Sequence, residues 1–279
     1  MSEANQNLSE DERTAERIKN LPPSQISTTE NAIELDDVWK TFDGKEFVVK
    51  GMNMKIPKGS LTAIIGFSGT GKSVILKHVL GLYRPTKGNI HVLGQDLDKM
   101  TDGQLTIFRR RFGVLFQSAA LFDDMTVLEN VCFPLVEHRS DWSEDKIVQV
   151  ATQKLEQVGL EKKHYEKLPS QISGGMQKRT GLARALALDP EILFYDEPTT
   201  GLDPILTEMV DNLILETHRN QAGSTSVMVS HDLQAAFRIA DYVAMLNAGQ
   251  VLLFGPPKVF LESKDELVRK FVDKGMRHG

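Results

Sequence analysis

The octapeptide Gly66-Phe67-Ser68-Gly69-Thr70-Gly71-Lys72-Ser73 fits G-x-x-x-x-G-K-[ST], a pattern that few folds can accommodate. At average composition, with Gly near ~7%, a chain of this length shows it by chance about once in a hundred. Its flanks match the mechanism. Leu61-Thr62-Ala63-Ile64-Ile65 is a short apolar run of the kind that fills a strand covered on both faces. Val74-Ile75-Leu76-Lys77-His78-Val79-Leu80 then reads as a helix. Glycines in such a loop let backbone N–H groups turn inward onto phosphates, and the helix N-terminus adds positive dipole. The residues expected at a bound nucleotide are Gly66, Ser68, Gly69, Thr70, Gly71, Lys72, Ser73 and Val74. Among them, Lys72 is expected to neutralise β- and γ-phosphate oxygens, and the Ser73 hydroxyl to ligate Mg²⁺.

A phosphate loop of this kind needs an acid to order the metal. Ile192-Leu193-Phe194-Tyr195 is a second buried-strand run, and it ends in Asp196-Glu197. Asp196 is expected to hold the Mg²⁺ shell, and Glu197 to orient or deprotonate an attacking water. A second phosphate-seeking turn, Ser173-Gly174-Gly175, precedes a helix that begins near Gln177, with a basic cluster at Lys178-Arg179.

The rest of the chain limits the class. Its 279 residues suffice for one large domain, and a net charge of −5 gives no basic surplus suited to nucleic acid. Arg109-Arg110-Arg111 reads as a solvated helix face. The single cysteine, Cys132, excludes an internal disulfide framework and suits a small apolar role. No run approaches the roughly 18 apolar residues of a membrane span, and the polar, acidic start lacks a signal-peptide layout. Residues 1–31 are expected to be a mobile extension, 32–255 the main domain and 256–279 an amphipathic tail with Leu267, Val268, Phe271 and Val272 on one side. Helical pattern dominates from about Thr101 to Leu188, with Ser143 as a helix N-cap and Gly159 as a stop. The order of elements fits an α/β fold around a mostly parallel sheet, with a helical subdomain of about 101–188 inserted in it.

Leu168 to Arg184 resembles the signature segment of ATP-binding-cassette (ABC) ATPases, and the likeness covers nearly all of Ile33 to about Gly255. The resemblance implies an α/β P-loop NTPase of RecA-like type, with an antiparallel β subdomain and an inserted helical subdomain. It also implies ATP as substrate, Mg²⁺, and two chains closing over two nucleotides, with Ser173, Gly174 and Gly175 of one facing the ATP of the other. Carried over residue by residue, Phe42 matches the aromatic that stacks on adenine, and Gln117 the glutamine at Mg²⁺ and the γ-phosphate. Asp203 matches the loop that touches the opposite subunit, and His231 the γ-phosphate histidine, so that Glu197, His231 and Lys72 form the expected catalytic set. The chain departs from the family's Leu-Ser-Gly-Gly-Gln at Ile172-Ser173-Gly174-Gly175-Met176, which removes an amide near the nucleotide.

That methionine, with Leu115 to Val127, Asn130-Val131 and Phe133 to His138, is similar to the ATPases of Mla/Mce-type phospholipid transporters. This likeness implies phospholipid transport across the bacterial envelope, maintaining outer-membrane lipid asymmetry. The implied partners are a second copy of the chain, an MlaE-like integral membrane permease, a lipid-binding Mce-domain protein and a small cytosolic accessory subunit, with no nucleic acid. The implied location is the cytoplasmic face of the inner membrane, held there by the permease. Another cargo, or an ATPase that signals to a membrane partner, are the alternatives. Phe122, Met125, Val127, Phe133 and Leu135 are the apolar candidates for a permease groove, some of them expected in the core.

Overall fold

The computed structural model describes residues 30–221 and 223–277. Apart from its last two residues, the expected N-terminal extension 1–31 lies outside them. Strands β1 (Asn31–Thr41) and β2 (Phe47–Pro57) pair antiparallel, with Ile33 opposite Ile56 and Leu35 opposite Met54. They join β4 (Lys87–Val92) and β5 (Gln95–Asp96) in a four-stranded antiparallel sheet of order β2-β1-β4-β5.

The second sheet is built on β3 (Leu61–Gly66), all six of whose residues are buried. With β6 (Phe112–Leu115), β7 (Ile192–Asp196), β8 (Thr225–Val229), β9 (Tyr242–Asn247) and β10 (Gln250–Gly255) it takes the order β10-β9-β3-β8-β7-β6. All these pairings are parallel except that of β10 with β9. Successive side chains on a strand point to opposite faces, which splits the core in two. Ile64, Phe194 and Val229 pack with Ile33, Leu35, Met52 and Ile56 of the antiparallel sheet and with helix α1 (Lys72–Val79). Ala63, Ile65, Tyr195 and Met228 face the opposite, helical layer. The turn between β9 and β10 joins the two sheets, since Lys50 N–H donates to the Gly249 carbonyl at 2.9 Å. A Cβ at Gly249 would lie 2.4 Å from the Val48 carbonyl oxygen, so this approach requires glycine.

After α2 (Asp102–Phe108) and β6, the chain forms α3 (Val127–His138), α4 (Glu144–Gln157) and α5 (Gly174–Leu186). Ser143 caps α4 as expected, accepting from Lys146 N–H, and Ile147, Ala151 and Leu155 bury one face. The remaining helices are α6 (Pro204–Asn220), α7 (Leu233–Ile239), α8 (Pro257–Leu261) and α9 (Glu266–Arg277). Val268, Phe271 and Val272 of α9 are buried in the helical-side core, whereas Leu267 is half-buried. No helix among the described residues is long and apolar enough to cross a membrane.

Helices dominate the stretch from Thr101 to Leu188, but one strand interrupts them: β6 pairs with β7 and forms an edge of the parallel sheet. Its four residues are too few to show a period of their own beside the strong helical pattern. One reading needs correction: Arg109-Arg110-Arg111 is not simply a solvated face. Arg109 donates to the Leu80 and Gly81 carbonyls, and Arg111 forms a forked pair with Glu191 at 2.5 and 2.8 Å.

Strand β6 lies against α5 so closely that a Cβ on Gly113 would stand 2.4 Å from the Ala185 carbonyl oxygen. Overpacking of this kind costs about 1–3 kcal/mol. Gly113→Ala is therefore expected to lower the stability of the chain by that amount, read as a shift in its urea midpoint at unchanged slope.

Candidate functional site

The parallel strands β3, β7 and β8 all end at the same edge of the sheet, and their following loops meet there. Past the strands the hydrogen bonding continues, with Ser230 N–H donating to the Ile64 carbonyl at 3.1 Å and Glu197 N–H to the Val229 carbonyl at 2.9 Å. These loops enclose a cleft of about 490 Å³ lined by Ser68, Gly69, Gly71, Lys72, Ser73, Val74, Gln117, Glu197 and His231, together with Val48 and Thr200. That size falls within the roughly 300–1,000 Å³ of small-molecule sites.

At the floor, the Lys72 ammonium donates to the Gly66 carbonyl at 2.8 Å and the Phe67 carbonyl at 3.3 Å. Burial lowers its pKa, and the negative charge of Glu197 works in the opposite sense. Gly66 has φ 151°, and a Cβ there would meet the Leu246 carbonyl oxygen at 2.4 Å. Thr70 is buried beneath the loop, its hydroxyl donating to the Phe67 carbonyl at 2.8 Å.

Opposite Lys72, Glu197 has φ 48°. A non-glycine residue in this region carries backbone strain of order 1–3 kcal/mol, and such strain concentrates at functional sites. Its Oε2 lies 2.5 Å from His231 Nδ1 and 3.1 Å from the Thr200 hydroxyl, which donates to it. A carboxylate only accepts, so Nδ1 carries the hydrogen of the histidine contact. Asp196 sits half-buried at the end of β7, its pKa raised by burial and by the adjacent Glu197. The hydroxyl of Ser73, the amide of Gln117 and the carboxylate of Asp196 are hard oxygen donors of the kind Mg²⁺ takes. Among the described residues no group of three or more His, Cys, Asp or Glu side chains could hold a metal by itself. The donor set therefore fits a cation that keeps several waters and uses substrate phosphates.

The other expected residues stand away from the cleft lining. Phe42 is 58% exposed and packs edge-on to Tyr83 at 5.3 Å, with Lys40 Nζ 5.2 Å from its ring centre. Ser173, exposed, caps α5 by accepting from Met176 N–H at 3.3 Å. Asp203, also exposed, caps α6 by accepting from Ile205 and Leu206 N–H at 3.0 Å. The two caps are neighbours, because Gly175 packs against Leu206 and Met209. Met176 itself is half-buried against the helical core.

Lys178 and Arg179, read as a basic cluster beside the second turn, face inward instead. Lys178 donates to the Gln117 carbonyl, Arg179 to the Val158 carbonyl and Arg184 to the Ala119 carbonyl. Burial lowers the pKa of Lys178 and Arg184. Ala119 and Ala120 both have positive φ, 60° and 48°, so these two cations hold a strained loop that carries Gln117. Nothing in a basic helix start shows which way its cations will point. Thr200, which bonds Glu197, and Val48 also line the cleft, although neither carries a motif of its own.

A family model described as ABC transporter matches residues 49–200. The chain belongs to the ABC transporter family. It is an ATP-binding cassette, and an ATPase. The intermembrane phospholipid transport system ATP-binding protein MlaF of Haemophilus influenzae is 40% identical to it, over 90% of this chain and 93% of its own length. The probable ribonucleotide transport ATP-binding protein mkl of Mycobacterium leprae is 41% identical, over 89% of this chain and 70% of its own. Among solved structures, a dimeric post-hydrolysis state of the ATP-binding cassette MJ0796, bound to ADP and Pi, matches with a TM-score of 0.73 at 33% identity. It covers 81% of this chain and 98% of that one.

Removing the Lys178 ammonium leaves the part-buried Gln117 carbonyl without that donor, a loss worth about 1–3 kcal/mol. Lys178→Met is expected to lower stability by that amount in urea denaturation and to cut ATP turnover as the Gln117 loop loosens.

Proposed function

We propose that this cassette drives phospholipid transport across the bacterial envelope through a separate membrane permease, working as a pair of identical chains. The observation that carries the motor half is the convergence of Lys72, Glu197 and His231 on one cleft. Lys72, released from its two loop carbonyls, neutralises β- and γ-phosphate oxygens. Glu197 orients and deprotonates a water for in-line attack on the γ-phosphorus. His231, positioned by its bond to Glu197, faces the γ-phosphate and stabilises charge that develops on it. Phe42 supplies the surface for adenine, and Ser68, Gly69, Thr70, Gly71 and Val74 the backbone around the phosphates. Ser73, Gln117 and Asp196 would hold Mg²⁺, which when bound offsets charge on the phosphate oxygens.

Because Ser173, Gly174 and Asp203 stand exposed and away from this cleft, the two caps are read as facing the nucleotide of the second chain. The dimeric assembly of the MJ0796 cassette supports that arrangement. In this proposal the chain divides into an extension at 1–31, a cassette at 32–255 with a helical subdomain of about 101–188, and a tail at 256–279.

For cargo, the support is the surface beside Gln117. Of the five groove candidates, Val127 and Leu135 are fully buried and belong to the core. Phe122 is 39% exposed and packs against half-buried Phe133, ring centres 4.7 Å apart and planes tilted at 52°, and its carbonyl accepts from the N–H of half-buried Met125; Phe116 and Val136 are also exposed. Asn130, fully buried, bonds both backbone groups of Phe122 and the carbonyls of Met125 and Thr126, which holds this surface rigid. An apolar, pre-formed patch suits an amphipathic permease helix. The relative named for phospholipid transport is matched over 93% of its length, and the one named for ribonucleotide transport over 70%. A Mce-domain lipid-binding protein and a small cytosolic accessory subunit complete the assembly, and the permease holds this chain at the cytoplasmic face of the inner membrane.

Two experiments test this reading. Glu197→Gln is expected to cut ATP turnover about 10²- to 10⁴-fold while ATP still binds; near-normal turnover shows that another group is the base. The complex purified from membranes is expected to carry phospholipid by mass spectrometry and to move labelled lipid with ATP. An ATP-active complex that moves a polar solute and no lipid overturns the cargo.

A further inference from the structure

Helix α9 touches two segments that carry residues of the nucleotide cleft. Phe271 meets Phe67, inside the phosphate loop, edge to face, with ring centres 5.0 Å apart and planes at 89°. One turn further along α9, Gly275 lies against α7, where a Cβ would stand 2.7 Å from Leu233 Cδ2. The Gln234 side-chain amide also donates to the Met276 carbonyl at 3.4 Å. Leu233 opens α7 two residues after His231. Positions 271 and 275 are four apart and share a helix face, so one face of α9 bridges the phosphate loop and the segment that carries His231.

We propose that α9 sets the phosphate loop against the His231 segment, and that Phe271 is a positioning residue for ATP binding that acts through Phe67. The proposal rests on reading the cleft as the ATP site. The lever is the Phe67 carbonyl, which accepts from the Thr70 hydroxyl at 2.8 Å and from Lys72 Nζ at 3.3 Å. A shift of Phe67 therefore displaces both the loop's internal brace and its ammonium. Phe67 is 40% exposed, and Phe271 is its one ring contact among the described residues. An apolar ring at the start of a phosphate loop has no part in binding phosphate, so its contact with Phe271 is what its side chain contributes. Helix α9 is anchored separately by Val268, 1% exposed, and Val272, 8% exposed. The aromatic contact is thus an addition to that anchorage.

The test is a double-mutant cycle on the full chain, reading equilibrium affinity for a fluorescent ATP analogue beside thermal stability. An aromatic pair is worth enough to shift affinity about 2- to 10-fold. Phe67→Ala and Phe271→Ala are each expected to weaken binding by that factor, and the double variant by no more than the weaker single. Val268→Ala is expected to lower the melting temperature while leaving affinity within about twofold, because it loosens α9 away from the loop. Wild-type affinity in Phe67→Ala, additive losses in the double variant, or an affinity loss in Val268→Ala equal to that of Phe271→Ala overturns the proposal. Should Phe271→Ala fail to fold, Phe271→Leu takes its place in the cycle, and Phe67→Ala, on an exposed ring, still decides. A wild-type chain that binds no analogue overturns the reading of the cleft instead.

Discussion

Two backbone hydrogen bonds beyond the ends of the strands hold the site together: Ser230 N–H to the Ile64 carbonyl, and Glu197 N–H to the Val229 carbonyl. Each is an extra rung on the parallel sheet, and together they stitch the loops after β3, β7 and β8 into one layer. The registers of those strands, with Ile64 opposite Val229 and Asp196 opposite Val229, place all three loop starts at the same level. Lys72, Asp196 with Glu197, and His231 come from three distant parts of the chain. They meet because parallel strands must end on the same side. The positive φ of Glu197 is tolerated because its N–H is already committed to that rung. A turn free to relax would leave that region.

Around this layer, the protein uses buried cations to hold loops whose backbone is strained. Lys178 and Arg184 on α5 grip the carbonyls of Gln117 and Ala119, across a contact where Gly181 leaves room for the Ala119 side chain. The helix that presents Ser173 to Gly175 at its start is thus tied by its own middle to the Gln117 loop. A movement of one end is mechanically linked to the other, as a motor needs if ATP contact in one place is to move a surface elsewhere. Exposed apolar side chains flank this same loop in the sequence, Phe116 before it and Phe122 after it. Relatives named for different cargoes match this chain at similar identity, 41% and 40%.

The sheets show how far pattern reading reaches. Strands β3 and β7 were legible as apolar runs because burial on both faces favours apolar side chains along the whole strand. Helix α4 was legible from its period, its Ser143 cap and its Gly159 stop. Strand β6 was not, because four residues embedded in a helical stretch leave too short a signal, and its role comes from pairing with β7 far along the chain. The groove candidates divided for a similar reason. Val127 and Leu135 share the apolar character of Phe122, and only the packing of α3 turns the first two into the core and leaves the third at the surface.

By themselves, short stretches of the sequence pointed to the chemistry: a loop suited to cradling phosphate, acids placed to accompany it and a second phosphate-seeking turn. Those are properties of residue type and short spacing, which a strand and a turn impose locally. Tertiary structure alone decided which distant residues complete the site. The Glu197–His231 bond spans 34 positions, the Lys178–Gln117 bond 61, and the contact of Phe271 with Phe67 joins the end of the chain to its phosphate loop. No local propensity encodes such pairings. They follow from the order of strands in the sheet and from which helix faces must be hidden from water.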